Sequence, residues 1–226
     1  MKKNTLVIGD THLPFEHVKY LKFLKRIEKA FKCERVIHIG DLIDNHAISY
    51  HEHDPDGWSP ESEMQECDKR LKQWFKAFPK VYLCRGNHDN LVDRKGKTMG
   101  LPRRCFQDFR DVWGLPDGWI DDFEFVFDNV KYEHGTGYSG KNAHINAAIT
   151  NRMSTVIGHV HSFAGVQFTA SSKDCLFGMN VGCGIDRRKY AFDYGKAFKF
   201  KPIISCGVVQ YTKHGINPIV IPMEMK

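Results

Sequence analysis

Five short polar clusters combine carboxylates, an amide and imidazoles: Asp10-Thr11-His12, Gly40-Asp41-Leu42-Ile43-Asp44, Gly86-Asn87-His88-Asp89, Glu133-His134-Gly135 and Gly158-His159-Val160-His161. Hard oxygens mixed with borderline nitrogens suit Mn²⁺, Fe, Zn²⁺, Co²⁺ or Ni²⁺ better than Ca²⁺, and the lack of thiols argues against a structural zinc. The donors are too many for one such ion. They suit two ions that share a carboxylate at about 3.5–4 Å separation, the geometry of two-metal hydrolysis. The last cluster sets two imidazoles one residue apart. In an extended segment residues i and i+2 point to one face, so His159 and His161 are expected to address one locus, each serving a different ion.

The elements that must position these clusters are legible as patterns. The β-rich runs "NTLVIGD" (4–10), "RVIHIGD" (35–41) and "KVYLCRGNHD" (80–89) each end in a cluster. Between the first two, Val18, Leu21, Leu24, Ile27 and Phe31 recur at helical spacing. Before the third, "SPESEMQ" from Ser59 reads as a helix start with proline in the first turn, and Met64, Leu71, Trp74, Phe75 and Phe78 form its apolar stripe. Strand, helix, strand, helix, strand predicts a parallel sheet built by crossovers.

The second half changes character. "DFEFVFDNVKYEHG" alternates around Asp128-Asn129 like a hairpin. A helix is expected from about 141 to 152, then a strand in "TVIGH" and strand-like runs "FAGVQFT", "CLFGMNVG", "IISCGVVQYT" and "NPIVIPMEM". The expected architecture is α/β: a four-layer αββα sandwich, two mixed sheets packed face to face with helices outside, in one domain over residues 1–226. Sites in such folds form beyond the carboxyl ends of the strands, where five clusters on five strand ends would converge.

Composition bounds the function classes. The chain has 226 residues, 42% hydrophobic and 27% charged, without an apolar run of the roughly 18–20 residues that cross a bilayer. The apolar run near the N-terminus stops at Gly9-Asp10, too short for a secretory signal. Seven scattered cysteines without a CxxC pair read as reduced thiols of a cytoplasmic protein. A net charge of +6 is compatible with a phosphate-bearing substrate and no more.

Taken in order, D-x-H (10–12), G-D-x-x-D (40–44), G-N-H-D (86–89), a histidine before glycine (134) and G-H-x-H (158–161) resemble the calcineurin-like metallophosphoesterase family, over about residues 6–162. "MNVG" (179–182) resembles the strand that usually follows. The resemblance implies one ion held by Asp10, His12, Asp41 and His161, and another by Asp41, Asn87, His134 and His159, with Asp41 as the bridge. It implies that His88 is not a ligand but faces the substrate as general acid, oriented by Asp44. Two divalent ions, manganese first among them, would outweigh their ligand carboxylates. They would bind a phosphate and acidify a water so that hydroxide attacks phosphorus in line.

The implied function is hydrolysis of a phosphodiester or phosphomonoester. A nuclease acting on DNA or RNA through the same site is the alternative, and a non-catalytic binding scaffold of the same fold is the remaining one. The scaffold reading is disfavoured because every motif position is filled. No interleaved aromatic stacking platform for nucleic acid is visible in the sequence. Departures are informative. Protein Ser/Thr phosphatases of the family carry arginine straight after the second Asp of G-D-x-x-D, where this chain has Asn45. Arg85 matches their R-G-N-H form. Both are candidate substrate contacts, and a phosphoprotein substrate is disfavoured. The tyrosine of purple acid phosphatases is absent, and the chain is too short for the DNA-binding domains appended to the family's repair nucleases.

Blander readings are preferred elsewhere. His38 is expected to be a hydrogen-bonded core residue, and His46, His51 and His53 members of a solvated loop within the irregular insertion of about 45–60. "DPDG" (54–57) reads as a turn rather than a calcium loop. Tyr138 sits in a Gly-rich turn, and "GIDRRKY" (184–190) reads as solvated surface that also suits steering of a polyanion.

Overall fold

The computed structural model describes residues 2–50, 54, 56–189, 191–192, 196 and 199–224. The first half contains β1 (Thr5–Ile8), α1 (Tyr20–Ala30), β2 (Arg35–His38), α2 (Pro60–Ala77), β3 (Val81–Cys84), α3 (Leu91–Thr98), α4 (Phe109–Trp113) and β4 (Trp119–Asp122). The second contains β5 (Glu124–Phe127), β6 (Val130–Glu133), α5 (Ala143–Asn151), β7 (Ser154–Ile157), β8 (Gly165–Ala170), β9 (Cys175–Asn180), β10 (Ser205–Thr212) and β11 (Gly215–Pro222).

One sheet has the order β11-β10-β1-β2-β3-β4 and the other β5-β6-β7-β9-β8. In the first, β1 to β4 run parallel while β10 joins β1 antiparallel. In the second, β6, β7 and β9 are parallel, with antiparallel strands at both edges. Alternation along each strand sorts its side chains between two layers. Val7, Ile37 and Cys84 of the first sheet pack against Tyr132, Val156 and Met179 of the second. Leu6, Ile8 and Leu83 point the other way, onto Leu24 and Ile27 of α1 and Leu71 and Trp74 of α2. On the far side α5 packs Ala143 and Ala147 against Ile157. These are the four layers expected: helices, sheet, sheet, helix.

Local chemistry accounts for several elements. The Ser59 hydroxyl accepts the Ser62 N–H at 3.2 Å and Pro60 opens α2, where its missing N–H costs nothing. Asp128 and Asn129 both take positive φ, +52° and +65°, as a two-residue type I′ hairpin requires. His38 is a core residue, its Nε2 3.0 Å from the Thr11 hydroxyl. All seven cysteines are unpaired.

Other expectations are corrected. The buried face of α1 is Tyr20, Phe23, Leu24 and Ile27, while Val18 lies before the helix and is 64% exposed. Tyr20 goes inward because its hydroxyl accepts the Gly9 N–H at 3.1 Å and donates to the Ser205 carbonyl at 2.7 Å. α3, α4 and β4 had no clear pattern: half of "LVDRKGKT" is charged, and β4 is a four-residue edge strand of mixed burial. His46 is buried rather than solvated. Glu63 of α2 accepts the N–H groups of His46 and Ala47 at 2.7 and 2.8 Å, drawing the turn His46–Ile48 onto the helix, where the His46 ring meets Phe15. His51 and His53 lie outside the described residues.

Candidate metal centre

The five clusters leave the carboxyl ends of β1, β2, β3, β6 and β7 and meet where the two sheets face each other. Close approach there depends on glycine. A Cβ on Gly86 would land on the Asp41 carboxylate, and one on Gly158 would land on that of Asp10.

Among the described residues, three sets have ligand-type atoms within 4.8 Å of one another: Asp10, His12 and His161; His12, Asp41 and His88; Asp41, His134 and His159. The Asp10 carboxylate is fully buried. Its Oδ2 accepts the His159 N–H at 2.9 Å and lies 2.9 Å from His161 Nε2, while its Oδ1 has no hydrogen-bond partner among the described residues. Asp41 Oδ1 accepts the His88 backbone N–H at 2.8 Å. Its Oδ2 stands 3.2 Å from His134 Nε2 and 3.6 Å from His12 Nε2.

Tautomers follow from the partners. His134 Nδ1 sits 3.2 Å from the Ile39 carbonyl, which can only accept, so Nδ1 carries hydrogen. Nε2 then faces two acceptor oxygens and a ring nitrogen: Asn87 Oδ1 at 3.0 Å, Asp41 Oδ2 at 3.2 Å and His159 Nδ1 at 3.2 Å. Convergence of this kind needs a positive group at its centre, which either a protonated His134 Nε2–H or a metal ion in its place supplies. Likewise His12 Nδ1 donates to Asp44 Oδ1 at 2.6 Å, which turns its Nε2, buried and without a partner among the described residues, toward Asp41. Orphaned Asp10 Oδ1 and His12 Nε2, together with the ring of acceptors around His134 Nε2, fit a pair of divalent ions.

The electrostatics point the same way. Burial alone would lower the His134 pKa, but Asp41 and Asp10 outweigh it and hold the imidazolium up to about 10. Burial would raise Asp41, yet His134 and His88 keep it well below the usual carboxylate range. Burial lowers His12, and the neighbouring His88 adds to the effect. Asp10 and Asp41 thus stay ionised, and the positive charge they hold on the His134 ring is one that a metal ion would take over.

Two geometric expectations change. β7 ends at Ile157 and His159 takes φ +64°, so 158–161 is not extended. This left-handed residue, not strand alternation, sends His159 toward His134 and His161 toward Asp10. Asp44 does not orient His88 through its carboxylate alone. The His88 Nδ1–H donates to the Asp44 backbone carbonyl at 2.6 Å, with the carboxylate oxygen at 3.4 Å, while that carboxylate's short bond goes to His12.

The remaining candidates are placed as follows. Arg85 lines a cavity with Asn87 and His159, its Nε 3.3 Å from Asp121 and its guanidinium 4.8 Å over the Phe123 ring. Asn45 takes φ +53° and donates its amide to the His88 carbonyl at 3.0 Å, so it braces the His88 loop. Asp54 caps a turn through the N–H groups of Asp56 and Gly57, both at 2.9 Å. Tyr138 lines a cavity with His159 and His161, and Arg187 lies on its rim. Two bracing residues were missed. Asp89 is buried and accepts the Ile43 N–H at 3.0 Å and the Gly86 N–H at 2.8 Å, joining the loops that carry Asp41 and Asn87. Asn180 donates to the Val160 carbonyl at 3.2 Å from within the "MNVG" strand. Both sit inside motifs quoted for the site, which was the available signal.

Residues 3–175 match the model of the calcineurin-like phosphoesterase family. Solved structures similar to the chain include a single mutant of Vps29 from Entamoeba histolytica, at 11% identity and TM-score 0.45, covering 98% of this chain and 99% of that one. Yfce, a phosphoesterase from E. coli, has 11% identity and TM-score 0.43 over 96% and 98% of the two chains. Pseudomonas putida nuclease MPE has 16% identity and TM-score 0.34 over 95% and 87%. No curated protein matches the chain. With the family model matched over more than half of its length, and that family's motifs gathered at one end of two facing sheets, the chain belongs to the calcineurin-like phosphoesterase family.

Proposed function

We propose that this chain hydrolyses phosphate esters with two divalent ions, manganese first among them, as a phosphodiesterase or phosphomonoesterase. The observation that carries the reading is Asp41. One carboxylate oxygen fixes the His88 backbone, and the other faces both His12 and His134, the position a bridging ligand requires. Asp10, His12, Asp41 and His161 would hold one ion, and Asp41, Asn87, His134 and His159 the other. When bound, the ions supply positive charge that draws in a phosphate, offsets charge building on it and acidifies water.

The chain's own groups do the rest. The Asp44 carbonyl holds His88 Nδ1–H, so His88 Nε2 is the atom that gives a proton to the departing oxygen. Burial would lower the His88 pKa, but Asp41 and Asp44 outweigh it and raise it, keeping the imidazolium that a general acid must be. Asp44 also fixes the His12 ring, and Asp89 ties together the two loops that carry Asp41 and Asn87, which would each ligate an ion. Arg85, though paired with Asp121, adds positive charge beside Asn87.

The test is metal binding by calorimetry together with hydrolysis of bis(p-nitrophenyl) phosphate and p-nitrophenyl phosphate. Wild-type protein binds Mn²⁺ and turns over at least one ester, and Asp41→Asn loses both. Turnover unchanged in Asp41→Asn defeats the assignment. Wild-type protein that binds metal but is silent on both esters and on a broad panel points to a binding scaffold instead.

A further inference from the structure

The cavities beside the candidate metal centre lie on both sides of it. One contains Asn87 and His159 and is walled by Arg85, Arg94 and Phe123. The other contains His159 and His161 and is walled by Tyr138, Arg187 and Phe200. They meet at His159. Each side thus pairs an arginine with an exposed aromatic ring: Phe123 is 57% exposed and Phe200 79%. Neither Arg94 nor Arg187 has a carboxylate partner among the described residues, so their charge is available to an anion.

The track continues beyond one residue of ligand in each direction. Past Phe123, Arg94 and Lys95 stand over the Tyr50 ring at 5.2 and 3.9 Å, and Tyr50 is 55% exposed. Past Phe200, the second cavity shares Ile185, Arg187 and Pro202 with a third that is lined by His17, Lys19 and Arg188. Apart from Glu224, which lines the third cavity, the acidic groups near this path are occupied. Asp121 binds Arg85 and Arg110, Asp186 binds Arg188, Glu124 binds Lys131, and Asp122 accepts the Phe123 N–H.

We propose that the substrate is a single-stranded nucleic acid lying across the metal centre, with nucleotides on both sides of the scissile phosphate. This rests on the phosphoesterase reading above. A phosphomonoester needs one occupied side, and a dinucleotide would leave Tyr50 and the Arg188 end unused. Alternating cations and exposed rings match a chain that carries a phosphate and a flat base in every unit. In a duplex the bases are stacked and their faces are not offered to protein rings. Hydrolysis adds one water: a bond forms from water oxygen to phosphorus, the bond from phosphorus to one sugar oxygen breaks, that oxygen takes a proton, and a proton leaves the water to solvent. The sequence hid this platform because Tyr50, Phe123, Tyr138 and Phe200 are far apart along the chain.

The test uses the full chain and a fluorescein-labelled oligothymidylate of about twelve nucleotides, within the site sizes of such surfaces. Anisotropy is read in chelator, so that binding reports the chain's own residues. The oligonucleotide binds, and unlabelled single strands compete while a mononucleotide and a duplex do not. Phe123→Ala and Phe200→Ala each weaken binding about tenfold. The double substitution Arg94→Gln with Arg187→Gln lowers the salt slope by about 1.4, as two lost phosphate contacts require. With Mn²⁺ the wild type cuts the strand internally. No binding, equal binding of duplex, or binding indifferent to all four substitutions overturns the proposal. If bis(p-nitrophenyl) phosphate is hydrolysed and the oligonucleotide is not bound, the phosphoesterase reading survives alone. If the oligonucleotide is bound at these residues but no ester is ever cleaved, that reading fails instead.

Discussion

Glu63 separates the effect of burying a charge from the effect of losing a hydrogen bond. The side chain is 3% exposed and accepts two backbone N–H groups of the turn that follows Asp44. Burial raises its pKa from 4.5 to about 7 despite those bonds. Because the folded value lies above the unfolded one, the folded state binds more protons between them, and stability falls as pH rises through that window. A rise of this size corresponds to about 3 kcal/mol over the whole window, of which about 2.5 kcal/mol falls between pH 5 and pH 8. Glu63→Gln removes the titration. It keeps one carbonyl acceptor but sets an amide donor against the other N–H, at a cost of about 1–3 kcal/mol. The variant is therefore less stable than wild type at pH 5 and draws level with it or overtakes it at pH 8. At about 2–4 °C per kcal/mol for a chain of this size, the difference in Tm moves by about 5–10 °C in the variant's favour between the two pH values. Thermal unfolding by circular dichroism in chelator measures it. Parallel pH profiles for the two proteins would refute the reasoning, since they would mean that the Glu63 carboxyl is not desolvated.

Other expectations follow from the same contacts. His88→Ala keeps its Mn²⁺ stoichiometry by calorimetry while kcat on an aryl diester drops by about 10²–10⁴, and loss of metal would contradict its place outside the ligand set. Asp89→Ala strands the buried N–H groups of Ile43 and Gly86. At about 1–3 kcal/mol each, the loss is visible as a lower urea midpoint with unchanged slope, whereas a midpoint equal to wild type would show that the carboxyl braces nothing. Tyr20→Phe leaves the Gly9 N–H and the Ser205 carbonyl unpaired between β1 and β10. It should lower Tm by at least about 4 °C, and a shift below one degree would mean that water replaces the hydroxyl.

The order and spacing of the five clusters, and the β-rich run before each, determined the family, the sandwich and the set of residues that gather at the centre. Those properties are local: a period of two or of 3.6, a proline at a helix start, an Asp-Asn pair where both residues must take positive φ. A strand end also delivers its next residues to the same edge of a sheet wherever the rest of the chain lies. What each residue does there was decided only by the tertiary structure. The left-handed turn at His159 separated the two imidazoles, and contacts made across the fold gave Asp44 to His12, Asn45 to the His88 carbonyl, and Glu63 to the turn that buries His46. Hydrogen-bond partners, and the cavities on either side of His159, depend on residues tens of positions apart that share no period. Only packing brings them together, and only packing removes the water that would otherwise satisfy each one separately.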